Sequence, residues 1–77
     1  MDDILHQIQL IFRNFFDDSN LLIKEEMRLK DIEGWGSLEL MSLIVIIEKN
    51  FNIKFTIDEI YSIDKVGVII DLIKSKK

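Results

Sequence analysis

The sequence predicts an all-α fold, a four-helix bundle of three longer helices and one short third helix, on three observations. Apolar residues recur at helical spacing in three separate stretches. A tetrad with the pattern of a capping box, Thr56-Ile57-Asp58-Glu59, opens a further short one. The one run that could pass for a buried strand, Leu43 to Ile47, has no hairpin partner nearby and lies inside a fifteen-residue helical stripe.

The first helix is expected over Asp2 to Phe16. Ile4, Ile8, Ile11 and Phe15 follow one another by four, three and four residues, Leu5, Phe12 and Phe16 form the adjoining row, and His6, Gln7, Arg13 and Asn14 lie opposite. Asp2 and Asp3 fall in the first turn, where the helix dipole favours negative charge. His6, the only histidine, reads as a solvated surface residue.

From Asp17 to Gly36 no periodicity persists. Asp17-Asp18-Ser19-Asn20 is a run of turn formers, and Leu21, Leu22, Met27, Leu29 and Ile32 are scattered among charges. So long a connection in a small domain is usually functional or pinned by its own apolar side chains, and Leu29 and Ile32 are the expected anchors.

The second helix is expected from Ser37 to Phe51, with Leu40, Ile44, Ile47 and Phe51 inward. Eight of the ten residues from Leu38 to Ile47 are apolar, which exceeds one face. Such a helix is either surrounded or offers apolar surface to a partner. The short helix begins at the Thr56 cap and ends near Tyr61 or Ser62. The last begins near Lys65, with Asp64 as the expected N-cap, Val66, Ile69, Ile70 and Ile73 inward, and Asp71 and Lys74 outward.

These 77 residues make one domain, and 48% apolar content is too high for a disordered chain. There is no cysteine, so disulfides and thiolate metal sites are excluded. Fourteen acidic residues against ten basic give a formal charge of −4. Seven acidic residues between Asp31 and Asp64 face only Lys49 and Lys54. That balance disfavours nucleic acid and anionic membrane and suits a basic protein partner, or else serves solubility alone. Along the sequence the basic residues cluster only at Lys74, Lys76 and Lys77. Met1-Asp2-Asp3 is acidic where a secretion signal is basic, and the apolar run from Leu38 to Ile47 falls short of the roughly 20 residues that span a bilayer. A cytoplasmic monomer is the expectation.

Catalytic constellations are missing. The single histidine lies on the outer face of another helix, and Gly34-Trp35-Gly36-Ser37-Leu38 lacks the glycine spacing of a nucleophile elbow. No acidic pair is singled out for acid–base work, and no loop carries spaced metal ligands. What stands out is a serine after two glycines at the head of the central helix, with a tryptophan two residues upstream. Judged by its residue type alone, Ser37 is an ordinary N-cap and Trp35 a lid on the bundle.

In order and over more than half its length, from about Leu29 to Ile73, the chain resembles the acyl and peptidyl carrier protein family. The family's Asp-Ser-Leu motif at the head of the second helix is Gly36-Ser37-Leu38 here, and its Phe-Gly-Ile is Phe51-Asn52-Ile53. Asp58-Glu59 and Val66-Gly67 match the openings of its third and fourth helices, and Trp35 before the motif is a familiar variant. The resemblance implies a carrier that is not an enzyme, with a 4'-phosphopantetheine arm attached to Ser37 from coenzyme A by a separate phosphopantetheinyl transferase. The arm's thiol would hold an acyl or aminoacyl group as a thioester. Trp35, Gly36, Leu38, Glu39 and Met41 would then be read by the transferase and by acyl-loading and acyl-using enzymes with basic docking surfaces. Gly36 departs from the family aspartate, which in relatives helps the transferase hold metal and coenzyme A. This keeps open a second reading, a carrier-like docking module that is not primed. Ser42, Lys49 and Asn50 stand where glutamates are common, which points to a specialised polyketide, fatty-acid-like or nonribosomal pathway.

Overall fold

The computed structural model describes residues 3–76, so the expected roles of the Asp2 and Asp3 carboxylates and of Lys77 lie outside what is described. Helix α1 spans Asp3–Phe16, a single 3-10 turn spans Leu29–Asp31, α2 spans Ser37–Phe51, α3 spans Ile57–Tyr61 and α4 spans Val66–Lys76. The expected all-α four-helix bundle is the fold observed.

Both long helices stop by the same device. Beyond α1, Asp17 takes a left-handed φ of 52° and the Asp18 N–H donates to the Arg13 carbonyl at 3.0 Å. Beyond α2, Asn52 has a φ of 57° and the Ile53 N–H donates to the Glu48 carbonyl at 3.1 Å. These are Schellman ends, which need a residue tolerant of positive φ, and asparagine and aspartate serve here where glycine is commonest.

The core draws largely on the expected stripes, except that on α2 Leu40 is only partly buried and Leu43 takes its place inside. Ile8 and Phe12 of α1, Leu43, Ile44, Ile47 and Phe51 of α2, and Val66, Ile69, Ile70 and Ile73 of α4 are all buried. On α1 the buried centre runs through Ile8 and Phe12, so Ile4, Ile11 and Phe15 are only partly covered. Fully burying an aliphatic side chain of this kind contributes about 1.5–3 kcal/mol.

The long connection is held to both neighbouring helices. Leu29 and Ile32 are buried as expected, and so is Ile23, which no sequence pattern singled out. The Ile23 N–H donates to Gln9 Oε1 at 3.0 Å, and Arg13 Nε donates to the Leu21 carbonyl at 2.7 Å, so polar residues of α1 secure the loop instead of merely facing water. On the other side the loop carbonyls cap α4. The Val66 N–H donates to Met27 O at 3.1 Å and the Gly67 N–H to Glu25 O at 2.8 Å. This corrects the expected Asp64 cap: the helix begins at Val66, Asp64 precedes it by two residues, and its part is a backbone carbonyl accepting from the Leu29 N–H at 3.0 Å. Gly67 is required by this approach, because a Cβ there would lie 3.0 Å from the Glu25 carbonyl oxygen.

The capping box at α3 is as the sequence predicts, with Thr56 Oγ1 accepting from the Glu59 N–H at 3.1 Å and Glu59 Oε1 accepting from the Thr56 N–H at 2.8 Å.

Candidate functional site

The loop enters α2 through a fixed sequence of restraints. Gly34 has φ +87°, a conformation that a side chain at Cα would strain, and it turns the chain toward α1. Trp35 then stacks on Phe12, with centroids 6.3 Å apart and planes at 13°, and meets Phe16 at 6.2 Å. The half-buried indole thus does act as a lid on the bundle, and its position fixes where the next residues emerge.

Gly36, not Ser37, is the N-cap of α2, in fully extended backbone with φ −168° and ψ −178°. Any residue can adopt that conformation. The first helical bond runs from the Leu40 N–H to the Gly36 carbonyl at 3.1 Å, and no side chain caps this end. Reading Ser37 as an ordinary N-cap is therefore incorrect. Ser37 occupies the first helical position, is exposed, and its hydroxyl has no hydrogen-bond partner among the described residues.

Around it the N–H groups of the first turn precede the helical bond and, with the dipole, favour an anion. The Glu39 carboxylate lies close to this end of the helix: its Oε1 is 2.8 Å from where a Cβ on Gly36 would be. Beyond Glu39, α2 presents apolar side chains to solvent. Leu38 is 79% exposed, Met41 and Val45 are each 47% exposed, and on α3 Tyr61 is 83% exposed. The apolar excess noticed in the sequence is thus surface, on the side of the helix that carries Ser37's neighbours. Of the residues singled out beforehand, Gly36, Ser37, Leu38, Glu39 and Met41 fall together at the start of α2, while Trp35 is turned into the aromatic cluster. Among the described residues no group of three or more His, Asp or Glu side chains could hold a metal ion.

No protein-family model matches the chain, and no curated protein matches it significantly. A solved structure does. The solution NMR structure of a holo acyl carrier protein from Geobacter metallireducens superposes with a TM-score of 0.88, at 36% identity, over 97% of this chain and 86% of that one. The chain belongs to the acyl carrier protein family. As an acyl carrier protein it is a carrier and not an enzyme. No helix of this acyl carrier protein, among the described residues, is long and apolar enough to cross a membrane.

Proposed function

We propose that this acyl carrier protein receives a 4'-phosphopantetheine arm on Ser37 Oγ and carries an acyl or aminoacyl group for a specialised biosynthetic pathway. The observation that supports it most is the unengaged Ser37 hydroxyl at the first position of α2. The residues fit the group: the hydroxyl is exposed, and the first-turn N–H groups suit the negative charge of a phosphodiester. When bound, the arm supplies the thiol that a chain without cysteine lacks, and so the means to hold cargo as a thioester.

The chain's own work is presentation. Trp35, anchored on Phe12 and Phe16, sets the direction of Gly36 and Ser37, and α2 holds Oγ clear of the bundle. Among the described residues no base is bonded to Ser37, and removal of its proton falls to the transferase. Leu38 and Met41 provide apolar contact for that enzyme and for the acyl-loading and acyl-using enzymes, and Glu39 provides the charge that a basic docking surface meets. The weakly acidic outer face of α2, with Ser42, Lys49 and Asn50, favours a dedicated partner over a general one. Residues 1–77 read as one cytoplasmic carrier domain, acting as a monomer.

Gly36 supports a second reading, a docking module that is not primed, because the family carboxylate is missing and Glu39 leans across its place. Intact mass before and after incubation with coenzyme A, magnesium and a broad-specificity phosphopantetheinyl transferase separates the two. A gain of one phosphopantetheine mapped to Ser37 is expected. No gain from folded protein, in wild type and Gly36→Asp alike, would leave only the docking module.

A further inference from the structure

A cleft that Trp35 helps to line has a charge quite unlike that of the chain as a whole. Arg28 and Lys65 form an isolated antiparallel backbone pair. The bonds flank them, from Leu29 N–H to Asp64 O and from Val66 N–H to Met27 O, so the two residues form the non-hydrogen-bonded kind of pair, in which opposed side chains approach most closely. Like charges directly opposite one another are destabilising. Lys30 completes the rim of the same cleft, and its base is formed by the buried Leu29 and Ile63 beside Trp35.

Three cations thus converge in a protein whose net charge is −4. Among the described residues none of them is within ion-pair distance of a carboxylate, although Asp64 lines the cleft; by contrast Lys76 pairs with Glu59 at 2.9 Å. Like charges set opposite one another by a backbone pair, and not ion-paired among the described residues, are stabilised by an external anion.

We infer that this cleft docks an acidic segment of a partner protein. All three basic residues are exposed, so each ion pair is screened and weak taken singly. A single small anion would gain little, whereas a segment with several carboxylates engages all three and sets its apolar atoms against the cleft base. The carrier then has two docking faces of opposite character: the Glu39 side of α2 for basic surfaces, and this cleft for acidic ones. The inference is independent of whether Ser37 is primed.

The test uses the full chain, its single tryptophan as reporter, and a capped octaglutamate peptide as probe at low salt. Expected are a saturable change in Trp35 fluorescence and amide shifts confined to residues 28–30 and 63–65. Binding should weaken on the order of tenfold in the Arg28→Gln/Lys65→Gln double variant. Both side chains are exposed and the pair is made by backbone, so the variant keeps its fold, checked by circular dichroism. Absence of binding, or binding unaffected by the double variant, overturns the inference. So does an equal saturable response to inorganic phosphate, which would make this a small-anion site, or tighter binding of an oligothymidine of the same length, which would make it a nucleic-acid surface.

Discussion

The Trp35 indole lies on the Phe12 ring at 6.3 Å with the planes only 13° apart, so the loop that delivers Ser37 is anchored in the centre of α1. Phe12 itself is wholly buried, and Phe16 closes the cluster from the next turn. Removing the indole costs both its buried area and the anchor. We expect Trp35→Ala to destabilise the fold by about 2–3 kcal/mol, below the full core value because the ring is only half-buried. Trp35→Phe should cost clearly less. Urea midpoints measure both, and equal midpoints for wild type and Trp35→Ala would show that the stacking does not hold the loop.

Ser37→Ala separates site from scaffold. Had the serine been the N-cap, its loss would cost about 0.5–2 kcal/mol. Since Gly36 is the N-cap residue and the hydroxyl bonds to none of the described residues, stability should change by less than about 0.5 kcal/mol. Loading with phosphopantetheine should vanish altogether. A Ser37→Ala protein that still gains the arm by intact mass would move the attachment site elsewhere.

What could be read from the sequence follows a physical divide. Val66, Ile69, Ile70 and Ile73, and the Thr56–Glu59 box, were legible because helix burial and capping are set by neighbours within one or two turns. Ile23 was not, since its burial depends on a bond from its N–H to Gln9 of another element. The cap of α2 was displaced by one residue: serine is preferred there, but Trp35's anchorage on α1 puts Gly36 at the boundary instead. The facing of Arg28 and Lys65 is a tertiary pairing, and along the chain the basic residues cluster only at the C-terminus. For Ser37, propensity alone favoured the bland reading, and the family motif pointed the other way.

Gly36→Asp tests whether the missing family carboxylate limits priming. The backbone there is ordinary extended chain, and an aspartate N-cap is at least as good as glycine. The new Cβ meets only the end of the Glu39 side chain, which can swing away. Stability should therefore change by less than about 0.5 kcal/mol, while the initial rate of mass gain in the loading assay rises. An unchanged rate would mean that the transferase does not use this carboxylate.

The contact between α3 and the end of α4 should show in acid. Lys76 Nζ bonds Glu59 Oε1 at 2.9 Å while the same oxygen accepts from the Thr56 N–H at 2.8 Å. The Lys76 bond first, and the Thr56 N–H second, lower the Glu59 pKa from its ordinary 4.5. With the folded value below the unfolded one, the unfolded chain binds more protons as pH falls. The stabilisation is therefore complete above the ordinary carboxylate pKa and is lost as pH falls through the lowered one. A carboxyl NMR titration should find the Glu59 midpoint below that of an unperturbed glutamate, and Lys76→Met should move it back upward. Glu59→Gln should flatten part of the acid dependence of the urea midpoint, with its effect at neutral pH set by the lost ion pair, since the glutamine amide oxygen still accepts from the Thr56 N–H. If Glu59 titrates at the same pH with and without the lysine, the ion pair does not persist in solution, and that end of α4 is held by other contacts, the packing of the buried Ile73 among them.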